Sequence, residues 1–184
     1  MTFVVLPADA ELADARSRVA EAGYLVLVGA DGVPLALLTA ELLEGVPDSG
    51  SLDGVNWPPV IMIPAALSAV EFIATPGVTL LDLSDDVPGL VLVDSDRPVG
   101  VMPIATVDGL LATGGFEPPP TTMGPLGYAG DAALPGEVDL PHARMRCAAP
   151  GCGFVNTLVF YDRSAPPLCA NPDLAGHRLS VVSG

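Results

Sequence analysis

Three cysteines and one histidine near the C-terminal end carry the clearest chemical signal of this 184-residue sequence. Cys147 and Cys152 form one close pair, and Cys169 and His177 form a second. Thiolate and imidazole groups are the donors that tetrahedral zinc prefers, and four protein ligands leave no position open for substrate or water. The residue types and their spacing therefore predict one structural zinc site held by these four side chains.

Other interpretations of these residues stay open in the sequence. His142, the other of the two histidines, is an alternative fourth ligand. Buried or reactive thiols would also explain three cysteines, and so would one disulfide with a thiol left over. The sequence starts without a basic and apolar leader, which predicts a cytoplasmic location where thiols stay reduced. A segment as short as 147–184 also needs a metal or another staple to fold, which favours zinc.

The segment 147–184 resembles a zinc ribbon, a small β domain in which two ligand pairs hold a hairpin. Gly153 directly follows Cys152, as in the Cys-Gly knuckle of that family. We expect strands at 154–161 and 178–182. The gaps inside both ligand pairs are wider than the usual two residues. The resemblance implies a zinc-ribbon-like domain with one structural zinc ion.

Composition divides the chain into three parts. Residues 1–112 contain dense apolar runs and carry 16 acidic side chains against three arginines, a net charge of −13. Residues 113–146 are rich in proline and glycine and show no apolar periodicity, which predicts a linker. Residues 147–184 contain all three cysteines, and we expect them to form a second, very small domain.

An internal repeat lies within residues 1–112, with Pro98 of the second copy 64 positions after Pro34 of the first. Continuous apolar runs joined by a tight polar turn are typical of buried strands in a hairpin. Each copy has an apolar run, a turn and a second run, at 24–28, 30–32 and 34–39 and again at 89–93, 95–97 and 98–103.

Helical patterns flank both hairpins. Leu12, Ala15 and Val19 share one face of a helix predicted over 8–22. The other predicted elements are helices at 40–44 and 65–74, a strand at 60–63, a short turn at 78–83 and a helix after the second hairpin.

This order of strand, helix, hairpin and helix, given twice, resembles the paired cystathionine beta-synthase (CBS) domain, or Bateman module, over residues 2–112. The segments 30–39 and 94–103 carry the resemblance. It implies an α/β (α+β) fold of tandem repeats with small sheets flanked by helices, and a binding site for an adenosine-containing ligand.

The resemblance places candidate ligand contacts at Thr39 and Thr106. Three residues depart from the family pattern: Leu42 and Thr106 stand where an aspartate holds the ribose, and Pro103 replaces a hydroxyl residue. We therefore expect strong nucleotide binding to be absent. Thr39 also has a simpler interpretation as the N-cap of the helix that follows it.

Charge and motif content exclude several classes of function. The net charge of −15, with arginine as the only cationic residue, disfavours nucleic acid and anionic membranes as partners. Uncharged stretches are too short for a membrane span. The sequence has no phosphate-binding loop, nucleophile elbow, zinc-protease motif or lysine. We expect no enzyme activity, although an acidic catalytic pair stays a remote alternative.

Together these features predict a non-catalytic regulatory or adaptor protein. The CBS-like half would serve as its platform, and the zinc ribbon would dock a protein partner. A homodimer through the CBS-like half is a further expectation. The alternative function is a sensor of an adenosine ligand such as AMP, ATP or S-adenosylmethionine.

Overall fold

The structure of the chain is a computed structural model, and it describes residues 2–47, 52–113, 140–174 and 176–180. Its first half is a three-stranded sheet covered by two helices. Strand β1 runs parallel to β2, and β2 runs antiparallel to β3. The elements are β1 (Phe3–Pro7), α1 (Leu12–Ala22), β2 (Tyr24–Val28), β3 (Pro34–Leu38) and α2 (Ala40–Glu44).

The second half repeats this order, which confirms the predicted α/β fold of small sheets flanked by helices. Strand β4 runs parallel to β5, and β5 runs antiparallel to β6, as in the first half. The elements are β4 (Val60–Pro64), α3 (Ala69–Ile73), a 3-10 helix (Pro76–Leu83), β5 (Gly89–Asp94), β6 (Arg97–Pro103) and α4 (Ile104–Ala112).

Local sequence explains where these elements begin and end. Helix α1 buries Leu12, Ala15 and Val19 and ends at Gly23, whose φ of +85° is open to glycine without strain. It starts four residues later than predicted. Helix α3 is also shorter than predicted, because a reciprocal capping box between Ser68 and Glu71 fixes its first turn.

The two halves pack against each other through their sheets. Val26 and Leu37 from the first sheet lie in one buried cluster with Val60, Met62 and Val91 from the second. Alternate residues of the same strands face the helices of their own half. The apolar runs are therefore continuous because both faces of these strands are buried.

Two further strands extend the second sheet, and here the structure differs from the predicted division of the chain. Strand β7 (His142–Arg146) pairs antiparallel with β4, and β8 (Val155–Leu158) pairs antiparallel with β7. The resulting strand order is β6-β5-β4-β7-β8. The last residues of the linker predicted at 113–146 are thus a central strand, while 114–139 lie outside the described residues.

The cysteine-containing segment shares its core with the second half. Met145, Cys147 and Leu179 belong to the same buried cluster as Ile61 and Phe72. The strand predicted at 154–161 is limited to β8. The return strand predicted at 178–182 is reduced to a single bridge between Leu168 and Arg178, and its last two residues lie outside the described part.

Candidate metal centre

The four predicted zinc ligands come together at one point beside the second sheet. Their donor atoms all lie within 4.8 Å of one another. The Cys147 sulfur lies 3.4 Å from Nε2 of His177, and the sulfurs of Cys152 and Cys169 are 3.6 Å apart. Tetrahedral zinc with Zn–S bonds of about 2.3 Å places its sulfur ligands roughly 3.8 Å from each other. The arrangement is therefore compatible with a zinc site.

The loop between the first two cysteines is shaped by backbone hydrogen bonds. The Cys147 N–H donates to the Phe154 carbonyl at 2.8 Å, and the Gly153 N–H donates to the Cys147 carbonyl at 3.2 Å. Gly151 and Gly153 have φ values of +75° and +63°, which favour glycine. This tight turn brings Cys152 back to Cys147, so a four-residue gap suffices for a ligand pair.

The loop between the other two ligands is closed in the same manner. The Cys169 N–H donates to the His177 carbonyl at 3.0 Å, and the Leu179 N–H donates to the Pro167 carbonyl at 2.8 Å. These bonds hold the two ligands side by side although seven residues separate them. The wide spacing in the sequence therefore does not disturb the cluster.

A backbone contact selects the tautomer of the neutral His177 ring. Nδ1 of His177 lies 3.0 Å from the carbonyl oxygen of Leu174. A carbonyl only accepts hydrogen bonds, so Nδ1 carries the proton and Nε2 presents its lone pair. Nε2 is the nitrogen that faces Cys147, and this is the tautomer that a metal requires.

Two asparagines support the sulfurs from outside the cluster. The Asn156 amide donates to the Cys169 sulfur at 3.4 Å, and the Asn171 amide donates to the Cys152 sulfur at 3.4 Å. Asn156 is buried, and its carbonyl oxygen accepts the Ala170 N–H at 2.8 Å. The Asn171 amide favours the thiolate form of Cys152, which is the form that binds metal.

The thiols differ in their electrostatic surroundings. The hydrogen bond from Asn171 lowers the pKa of the Cys152 thiol to about 6, whereas burial raises the pKa of Cys147. Three cysteine sulfurs and one imidazole nitrogen form a donor set that suits zinc. Four protein ligands of this kind are the number found in closed, structural zinc sites.

The cluster of four contains His177, whereas His142 lies elsewhere. His142 begins β7, and its Nδ1 contacts the carbonyl of Leu140 at 3.1 Å. The supporting asparagines were not predicted. Asn156 is an amide residue in the mostly apolar run 154–160, close to Cys152 in the sequence, and this was the available signal.

We predict that Asn156→Ala weakens zinc binding by about 10–100-fold, because residues that orient metal ligands have effects of this size. The variant removes a donor to Cys169 and leaves the Ala170 N–H without its acceptor. Competition with a chromophoric chelator measures the affinity. Asn56→Ala is the matched control, because it makes the same change at an exposed position outside the cluster and should leave the affinity unchanged. Equal zinc affinity in wild type and Asn156→Ala would contradict the supporting role.

The candidate ligand contacts of the CBS-like half lie apart from the metal cluster. Thr39 stands at the N-cap of α2, but its hydroxyl makes no capping hydrogen bond. It lines an open cleft of about 510 Å³ between the two halves, together with Glu41, Asp85 and Asp86. Thr106 is exposed on α4 and is not part of that lining. The two threonines thus do not both line this cleft.

Comparisons with known proteins give structural neighbours but no family. No protein-family model matches the sequence, and no curated protein matches it. Staphylococcus aureus OpuCA is 19% identical with a TM-score of 0.43, over 60% of this chain and 93% of that chain. The soluble part of a magnesium transporter is 15% identical with a TM-score of 0.48, over 63% of this chain and 46% of the other. The function must therefore be argued from this chain's own residues.

In the part of the chain that the structure describes, no helix combines the length and the apolar character that crossing a bilayer requires.

Proposed function

We propose that the protein is a non-catalytic regulatory or adaptor protein, in which a CBS-like platform is joined to a structural zinc centre. One observation carries this proposal: the donor atoms of the three cysteines and His177 lie within 4.8 Å of one another, and Cys147 and Cys169 belong to the buried core of the second repeat. Zinc at this position would stabilise a protein surface. The chemical role of the site is to hold β7, β8 and the loop at 169–177 together.

The composition of the cluster supports a structural role over catalysis. Catalytic zinc sites keep three protein ligands and one position for water, whereas this cluster supplies four. Nδ1 of its histidine lies 3.0 Å from the Leu174 carbonyl oxygen, which orients the ring with Nε2 towards Cys147. The site therefore suits protein docking in a reducing compartment better than a reaction.

The cleft beside Thr39 supports the expectation that nucleotides bind weakly. Asp85 forms an ion pair with Arg163 at 3.7 Å, but both side chains are well exposed, so the pair contributes little stability. Glu41 and Asp86 face the same cleft. Carboxylates around the cleft would repel the phosphates of a nucleotide. A protein partner is the more consistent occupant of this platform.

We predict that isothermal titration with AMP, ATP and S-adenosylmethionine at near-physiological salt shows no binding with a micromolar dissociation constant. Leu42 provides no acceptor for ribose hydroxyls, and each unsatisfied buried group costs about 1–3 kcal/mol. Tight ATP binding that Thr39→Ala weakens would contradict this and would favour the sensor function, because the Thr39 hydroxyl is free of a capping bond. Val99→Ala, an exposed change on β6, is the control.

A further inference from the structure

One edge of the five-stranded sheet differs from every other strand edge of the described fold. Strand β8 ends the strand order, and no described strand pairs with its outer side. Proteins usually protect such edges with proline or charge, because free N–H and C=O groups attract another strand. The other edge strands follow this rule: β1 contains Pro7, β3 contains Pro34, and β6 contains Arg97, Pro98 and Pro103. The sequence Val-Asn-Thr-Leu of β8 contains neither proline nor charge.

The alternation of hydrogen bonds between β7 and β8 shows which main-chain groups of β8 have no partner in a described strand. The Cys147 N–H donates to the Phe154 carbonyl, so Phe154 is bonded towards the neighbouring strand. Antiparallel ladders alternate, which directs Asn156 and Leu158 to β7 as well. The main-chain groups of Val155 and Thr157 therefore point away from β7, towards the open edge.

Apolar side chains surround this edge. Phe160 is 61% exposed and Leu168 is 65% exposed, and Val159 lies half exposed between β8 and Phe160. A cavity of about 400 Å³ opens beside them, lined by Thr157, Phe160, Pro167 and their neighbours. Exposed large apolar groups beside a free strand edge are typical of an interaction surface.

Charge indicates what the surface can accept. The chain has a net charge of −15, and residues 1–112 account for −13 of it. Residues 147–184 have no net charge, because they contain two aspartates and two arginines. Two copies of so acidic a chain repel each other over most of their surface. The β8 edge belongs to the segment without net charge, so it is where a second copy approaches at least cost.

We propose that β8 is a homodimerisation edge, at which β8 of a second copy pairs antiparallel through the free groups of Val155 and Thr157. A two-fold axis makes such an edge self-complementary, because antiparallel strands exchange the same groups in both directions. The pairing joins two five-stranded sheets into one continuous sheet. Phe160, Val159 and Leu168 become buried beside the junction.

Amide hydrogen exchange of the zinc-loaded full chain at low and high concentration tests the pairing directly. Exchange at Val155 and Thr157 should slow by about tenfold or more on concentration, as expected for amides that gain a partner. Asn156 and Leu158 are internal controls, because β7 protects them at both concentrations. Fast exchange at Val155 and Thr157 at the high concentration would overturn the proposal.

Light scattering of variants gives an independent test. Thr157→Pro removes one outward N–H without breaking the ladder to β7, and Thr157→Val keeps that N–H as the matched control. Phe160→Glu places a negative charge on the exposed apolar patch beside β8. Val70→Glu is its control, because it places the same charge at another apolar side chain, which lies on α3 and is 60% exposed. We expect twice the mass of one chain for wild type, Thr157→Val and Val70→Glu, and a monomer for the other two.

Three results would overturn this assignment. The first is a wild-type chain that stays monomeric at high concentration. The second is a dimer that persists in both the Thr157→Pro and the Phe160→Glu variants. The third is a dimer that dissociates in the Val70→Glu control as well. A surviving dimer would place the contact elsewhere, as in a pairing through the CBS-like half. Zinc content, measured on every sample, distinguishes loss of pairing from loss of the metal centre, so this test is separate from that of the proposed function.

Discussion

A Cys169→Ser variant is expected to lose stoichiometric zinc and, with it, the native packing of the whole second half of the chain. Cys169 is buried, and its sulfur lies 3.6 Å from that of Cys152. Structural zinc contributes roughly 10–16 kcal/mol of binding free energy in zinc-finger peptides, which is comparable to the entire stability of a domain. Because Cys169 lies in one buried cluster with Ile61 and Phe72, the damage should spread into the five-stranded sheet.

Elemental analysis measures the zinc, and amide exchange of β4 measures the sheet. Ala170→Ser is the matched control, since it adds the same hydroxyl at the next, exposed position and should keep one zinc per chain. Full zinc retention by Cys169→Ser would refute the ligand assignment. Loss of zinc with unchanged protection of β4 would instead show that the metal-bound segment unfolds independently, as the sequence-based division into separate domains predicts.

Phe72→Ala should lower the free energy of unfolding by about 3–5 kcal/mol, the range for a buried phenylalanine that leaves a cavity. Phe72 is fully buried on α3, in the cluster that also contains Met145 and Cys147. We expect weaker zinc binding as well, because the residues that position the first ligand pack against the same core. Urea unfolding followed by circular dichroism measures the first effect, and chelator competition measures the second.

The control for this substitution lies on the same short helix. Val70 is 60% exposed, so Val70→Ala should change the free energy of unfolding by less than about 0.5 kcal/mol. An effect of Phe72→Ala close to that of Val70→Ala would show that the second core is not packed as described. A large loss of stability without any change in zinc affinity would separate the core from the metal centre.

Sequence patterns predicted the repeated half of the fold well, because its signals are local. The helix Ala40–Glu44 matches its predicted bounds, and Gly32 has the positive φ expected of its turn. Both hairpins follow from apolar runs interrupted by short polar turns. In the second turn, Ser95 and Asp96 adopt positive φ without glycine, so the turn formed despite weaker local signals.

Strand β7 was missed because its partner is remote in the sequence. Met62 pairs with His142, 80 positions further along the chain. The alternation of buried Ala143 and Met145 with more exposed basic neighbours was a valid strand signal. It spans only five residues after a proline-rich stretch, and no local pattern indicates pairing with β4. The linker predicted at 113–146 therefore included residues that form a strand inside the sheet.

The metal ligands were predictable from residue type, whereas their supports depend on tertiary structure. Cys147, Cys152, Cys169 and His177 have few other roles in a short segment, so their chemistry was visible in the sequence. Asn156 reaches Cys169 only because β8 folds back over the loop that carries Ala170. Such contacts depend on the relative position of two loops, which spacing alone does not specify.

The position of β4 in the middle of its sheet has a consequence for biosynthesis. During synthesis β4 can pair at once with β5, but its opposite side stays open until residues 142–146 have left the ribosome. Its sequence Val-Ile-Met-Ile is fully buried in the finished fold and would be a strongly aggregation-prone edge until then. We therefore expect a truncated chain that ends after α4 to aggregate, because the apolar edge of β4 stays exposed in it.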